Sequence, residues 1–111
     1  MGEDSSCGAY CVLGSCVIGD GVLMGSSVHV LSGKEQHAYD EHGRLIDGTY
    51  EQISIGDHTW VGSGAIIMAS VGQGCIIGAG AVVTKNVDDH LIVAGNPAQS
   101  IGQRDPARPA T

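Results

Sequence analysis

The feature that most constrains this chain is an apolar residue that returns every six positions. It runs through Val12, Ile18, Met24 and Val30, resumes at Ile55, Val61 and Ile67, and again at Val71, Ile77 and Val83. A second apolar series stands four positions beyond the first, at Cys16, Val22 and Val28, and glycine follows the first series at Gly19, Gly25, Gly56, Gly62, Gly72 and Gly78. Even spacing keeps side chains on one face of a strand, whereas a six-residue period rotates a residue by about 240° around an α-helix and leaves no stripe. The period therefore predicts short strands that turn a corner every six residues, with glycine supplying the tight corner. Three units close a triangular coil, and stacked coils bury one aliphatic column. The expectation is an all-β chain wound as a parallel β-helix of about four coils. One step, from Ile67 to Val71, is four instead of six. Being even, it preserves inside and outside and reads as a shortened corner.

Composition agrees with a narrow interior. The chain holds 18 glycines and no phenylalanine, so its 42% of hydrophobic residues must fill the column with Val, Ile, Ala and Met. At 111 residues it supports one domain. We place the β-helix over residues 1–102, interrupted by a protruding loop at 32–52, with a flexible tail at 103–111. That loop holds the dense run of titratable side chains, Lys34, Glu35, His37, Asp40, Glu41, His42 and Arg44. Loops of this length in small domains are usually functional or disordered. A formal charge of -7 disfavours nucleic acid and anionic membrane as partners. No apolar run approaches the roughly 20 residues that span a bilayer, and the first residues form no secretory signal, which predicts a soluble cytoplasmic protein. Cys7, Cys11, Cys16 and Cys75 form no Cys-x-x-Cys pair and are expected to be small apolar thiols. A stack this short needs neighbours, and a threefold prism predicts a homotrimer.

Two stretches carry a resemblance. Residues 53–65, with Ile55-Gly56-Asp57-His58-Thr59-Trp60-Val61-Gly62-Ser63 at their centre, resemble the most recognisable coil of the hexapeptide-repeat acetyltransferases. Closest within that family are the maltose, galactoside and nodulation sugar O-acetyltransferases and the polysaccharide O-acetyltransferases. Ile77-Gly78-Ala79-Gly80 through Thr84-Lys85, followed by Val93-Ala94-Gly95-Asn96-Pro97-Ala98, resemble the family's C-terminal signature. With His37 upstream, the resemblance covers roughly residues 16 to 102. It implies a left-handed β-helix, against the usual right-handed crossover. It also implies acetyl transfer from acetyl-CoA, as co-substrate, to a hydroxyl of a sugar or similar small acceptor, in a groove between subunits. On this reading His37, 23 residues before Trp60, is the general base. An imidazole titrates near working pH and suits deprotonation of an attacking alcohol. Trp60 and Ser63 then lie near the thioester and pantetheine, with a backbone N–H such as that of Ser63 facing the oxyanion. Ala79, Thr84 and Lys85 lie along the coenzyme tail, and no metal is required. The chain departs from the family at Gln99, where a basic residue is usual, at Asp88-Asp89 after the Thr-Lys segment, and in its short N-terminal portion.

Two other readings stand beside this one. His37 and His42 have the spacing of the paired metal ligands of a γ-class carbonic anhydrase, but His29 lies too close upstream to be the third and should point outward. A degenerate, non-catalytic trimeric scaffold would explain Gln99 and the short N-terminus. Gly62-Ser63-Gly64 and Gly78-Ala79-Gly80 are not dinucleotide fingerprints, since the repeat already accounts for them. His58 and His90 read as surface residues at corners.

Overall fold

A computed structural model describes residues 1–31, 37–39, 42, 45–47 and 52–104, with 37–39 and 45–47 described by their backbone. All regular elements among these are strands. In chain order they are β1 (Ser6–Cys7), β2 (Val12–Leu13), β3 (Cys16–Ile18), β4 (Leu23–Met24), β5 (His29–Val30), β6 (His37–Tyr39) and β7 (Leu45–Asp47). There follow β8 (Ile53–Ile55), β9 (Trp60–Val61), β10 (Ile66–Ile67), β11 (Ile76–Ile77), β12 (Val82–Val83), β13 (Leu91–Ala94) and β14 (Gln99–Gln103).

The strands stack as three parallel ladders, the walls of a prism. Face A is β1-β4-β9-β11-β13, face B is β2-β5-β10-β12, and face C joins β3 to β8 and continues through bridges at Val71 and Val87. Successive partners are 17 positions apart in the first turn, as in Ser6 with Leu23, and 16 later, as in Trp60 with Ile76. Across the middle the separation is 37, as in Leu23 with Trp60 and Cys16 with Ile53. Twenty extra residues thus enter between β5 and β8 without disturbing the ladders. The ladder pairing on either side of them, not their number, returns the same side chains to the interior. Within this stretch β6 and β7 pair antiparallel with each other.

Inward side chains form one aliphatic column that includes Ile18, Met24, Val30, Ile55, Val61, Ile67, Val71, Ile77, Val83 and Val93, all buried. The column at the corner entering face A is Ser5, Val22, Thr59, Cys75 and Leu91, and it is not wholly apolar. Thr59 is buried and bridges to the next coil: its Oγ1 donates to Gly72 O at 2.8 Å and accepts from Cys75 N at 3.2 Å. Ser5 Oγ repeats the clamp one turn earlier, donating to Gly19 O and accepting from Val22 N. The Cys75 thiol donates to Asp88 O at 3.1 Å, and its pKa is raised, chiefly by burial. Burial also raises the Cys16 thiol. Cys7, expected as a core thiol, is exposed in the first coil.

Three expectations are corrected. Val12 does not face inward: it pairs with His29 and is half exposed, while Leu13 pairs with inward Val30. The first turn carries one more residue between faces B and C than later turns do, and that odd step makes the six-residue count land on the wrong face. The repeat glycines are not needed for an unusual φ. Positive φ falls instead two residues later, at Gly21, His58, Gly74 and His90 on one corner and at Ser27, Gly64 and Gly80 on another. The repeat glycines are required because the next coil lies directly against them: a Cβ on Gly19 would collide with Asp57 Oδ1, and one on Gly25 with Ser63 Oγ. Finally, Gln103 and Arg104 do not belong to a loose tail. β14 pairs antiparallel with β13 at the edge of face A, and Arg104 donates its N–H to His90 O at 2.7 Å. Residues 105–111 lie outside the described residues.

Candidate active site

The residues expected to bind a donor lie around two adjacent corners. Trp60 opens β9, with its side chain turned out from face A between the outward positions of Leu23 and Ile76, and 40% of it is exposed. Ser63 and Ala79 occupy the same place in successive coils at the corner between faces A and B, where Gly80 N donates to Ser63 O at 2.9 Å. The absence of a Cβ on Gly62 lets Ala79 N approach, and Gly25 does the same for Ser63. Ser63 Oγ accepts from Ser26 N at 3.2 Å, which leaves its hydroxyl proton free to donate outward. Its backbone N–H has no acceptor among the described residues. Trp60, Ser63 and Ala79 thus form one exposed strip.

Thr84 and Lys85 lie across face B, at its other corner. They line a cavity of about 390 Å3 with Gln52, Ile53, Met68 and Ser70. Gln52 and Ile53 are where the chain returns from the twenty-residue insertion, so this cavity sits at the insertion's root. The structure brings Trp60 together with Ser63 and Ala79, and Thr84 together with Lys85, but separates the two groups by the width of face B. For His37 only the strand backbone is described, paired opposite Asp47; its imidazole lies outside the described residues. Among the described residues no three His, Cys, Asp or Glu side chains gather to hold a metal ion.

A second cavity, of about 370 Å3, was missed by sequence reasoning. It lies at the corner between faces C and A and is lined by Asp57, His58, Gln73, Gly74, His90 and Arg104. His58 and His90 both adopt left-handed backbone, at φ 58° and 61°. The Arg104 guanidinium is held against them, with Nη1 donating to His58 O at 2.8 Å. Their spacing of 32 residues is twice the later coil length, a signal available in the sequence once that length is known.

Comparison with known proteins agrees with the repeat and the winding. A family model described as the hexapeptide repeat of succinyl-transferase matches residues 52–85. By sequence, no curated protein matches the chain. Among solved structures, a maltose O-acetyltransferase from Clostridium difficile 630 is 28% identical with a TM-score of 0.82, over 94% of this chain and 58% of that one. The polySia-specific acetyltransferase NeuO is also 28% identical, with a TM-score of 0.81 over 99% of this chain and 50% of that one. A hexapeptide-repeat acetyltransferase from Vibrio cholerae O1 biovar eltor, solved with acetyl coenzyme A, shares the fold at 19% identity and a TM-score of 0.60, over 95% of this chain and 70% of that one. The chain therefore spans little more than half the length of the first two. The repeat and these neighbours imply a left-handed β-helix. No described helix is long and apolar enough to cross a membrane.

Proposed function

We propose that this chain transfers an acetyl group from acetyl-CoA to a hydroxyl of a sugar or a similar small polar acceptor. The observation that carries this reading is the strip of Trp60, Ser63 and Ala79 beside the outward wall of the prism. It combines an apolar surface for the pantetheine arm with two donors, the Ser63 hydroxyl and N–H, for the oxyanion of an attacked thioester. Lys85, in the cavity with Thr84, supplies positive charge for the coenzyme phosphates in a chain that is otherwise acidic. His37 is the general base, removing the acceptor's proton as the hydroxyl attacks, so that no covalent enzyme intermediate forms. Because the donor residues flank both sides of face B, a groove that serves them all needs a second wall.

The outward positions supply one. Face A presents Leu23, Trp60, Ile76 and Ile92, and face B presents Val12, His29, Ile66 and Val82. Face C presents Val17 in its first strand and then Ser54, Ser70 and Asn86, the last three linked to one another by hydrogen bonds. Two largely apolar walls and one mainly polar wall suit a cyclic homotrimer in which face A of one subunit packs on face B of the next.

The test is thiol release from acetyl-CoA across a panel of saccharide acceptors, comparing wild type with His37→Ala. Wild type should turn over and the variant should lose at least about a hundredfold in rate. Full activity in the variant would remove His37 from the mechanism. If neither protein turns over and acetyl-CoA does not raise the melting temperature, the non-catalytic scaffold reading takes its place.

A further inference from the structure

The corner between faces A and B continues past the donor strip, through the two coils that precede Ser63. On the reading above, the coenzyme reaches Ser63 from the opposite side, along Ala79 in the following coil. The acceptor therefore has room to meet the acyl carbon only on the side of the first two coils. Neighbouring strands are about 4.8 Å apart, which puts Tyr10, two coils from Gly64, about 10 Å from it along the prism.

Tyr10 is the outlier of this corner. Its backbone is left-handed, at φ 62°, in the place that later coils give to Ser27, Gly64 and Gly80. A bulky residue rarely takes this conformation, and strain kept in a fold points to function. Its side chain is 87% exposed, so the ring adds nothing to the aliphatic column. Its base is nonetheless fixed. Ala9 N donates to Ser26 Oγ at 3.3 Å, Ser27 N to Ala9 O at 2.8 Å, and Val12 N to Val28 O at 3.0 Å. A ring held outward by a pinned turn is preorganised for a contact.

The rest of the corner defines the chemistry of that contact. Ser26 Oγ accepts from Ala9 N and keeps its hydroxyl proton for outward donation, as Ser63 does one coil on. Ser27 beside it is exposed. No residue at any level of this corner is charged, in a chain of formal charge -7. The corner between faces C and A differs, since Asp20, Asp57 and Asp89 make its inter-coil bonds. A sugar ring has an apolar face of C–H groups and a rim of hydroxyls. The tyrosine ring matches the first and the serine hydroxyls the second, while no charge here would pair with an ionised acceptor.

We propose that Tyr10, with Ser26 and Ser27, forms the acceptor subsite and selects an uncharged saccharide over an acidic one. This rests on the acyl-transfer reading, which places the acyl carbon at Ser63. The ring lies against the face of the sugar, the serines bond its hydroxyls, and one hydroxyl is turned toward Ser63. Tyr10 itself makes and breaks no covalent bond.

The test follows thiol release from acetyl-CoA by the full chain with N-acetylglucosamine and maltose, then with glucuronic acid and N-acetylneuraminic acid. The neutral pair should turn over with the lower KM. Tyr10→Gly, which takes the left-handed backbone without strain, should raise the KM for the neutral acceptor about tenfold and leave that for acetyl-CoA as it is. Tyr10→Phe keeps the ring and should stay within about threefold of wild type. Val17→Ser, exposed on face C of the same coil, should change neither KM and controls for a loosened first coil. The proposal is overturned if Tyr10→Gly keeps the wild-type acceptor KM, or if the acidic pair is preferred. It is also overturned if Tyr10→Gly raises both KM values together and lowers the mass in light scattering, which would make Tyr10 a subunit contact. A binding measurement separates the subsite from the reaction. The ring proton signals of Tyr10, assigned by their absence from Tyr10→Gly, are titrated with the same saccharides. Movement with the neutral pair but no thiol release would keep the subsite and remove acyl transfer. Turnover without movement would remove the subsite alone, and neither movement nor turnover would remove both.

Discussion

Hydropathy alone predicts that Thr59→Val stabilises this protein, since it places an apolar side chain in an apolar column; the geometry predicts the reverse. Thr59 Oγ1 is the hydrogen-bond partner of Cys75 N, in a residue with no exposed surface, and it also bonds Gly72 O. Valine matches threonine in shape, so the column stays filled. What is lost is one O–H···O bond, worth about 1 kcal/mol, and the partner of a buried N–H, worth about 1–3 kcal/mol. Replacing a hydroxyl by a buried methyl returns about 1 kcal/mol. The net loss is about 1–3 kcal/mol, or about 4–13 °C in melting temperature for a domain of this length. Thr59→Ser is the matched control. It keeps both bonds and gives up a methyl, costing about 1 kcal/mol. Urea unfolding at matched protein concentration gives the energies, and hydrogen exchange at the Cys75 amide identifies the cause. Protection there should fall in Thr59→Val and persist in Thr59→Ser. A Thr59→Val protein as stable as wild type, or one that still protects the Cys75 amide, would refute the clamp.

Other expectations follow from charge, burial and the outward walls. Lys85→Ala should raise the KM for acetyl-CoA about threefold with kcat little changed, because an exposed charge contributes modest binding; initial-rate kinetics would show it. The Cys75 thiol titrates higher in the folded chain than in the unfolded one, so the unfolded chain loses its proton first as pH rises. Stability from this group is full below about pH 8.5 and falls above it. The urea midpoint should therefore drop more steeply over that range in wild type than in Cys75→Ala. Leu23→Lys, on the outward wall of face A, should convert a trimer to monomer in light scattering while leaving the far-ultraviolet circular dichroism of the isolated coil unchanged.

Much of the fold was readable in the sequence because an interior column requires apolar residues at fixed intervals. Ile55, Val61, Ile67, Val71, Ile77 and Val83 were assigned inward and are buried, and the four-residue step at Val71 proved to be a face-C bridge. Val12 counts as inward by the six-residue period yet faces out, because side-chain direction follows parity and one additional residue at a corner reverses it. The glycines stand out in the repeat, but their cause lies in the neighbouring coil, which a linear reading does not contain. Arg104 escaped for a related reason: it is held by β14, whose antiparallel return along β13 breaks the parallel pattern. The donor residues were legible only through a resemblance. The geometry then divided them between two corners that no spacing rule had separated.

The twenty-residue entry between β5 and β8 has a consequence for how this protein can change. The three ladders close across it as though it were absent. Selection acting on this stretch is therefore separable from selection on the ladders: its length, its charge and the surroundings of His37 can change while the strand pairing on either side is kept. The coil behaves as a chassis and the entry as a cartridge. New acceptor preferences would be expected to arise there by insertion and deletion, while the wall that bears Trp60 and Ser63 stays as it is.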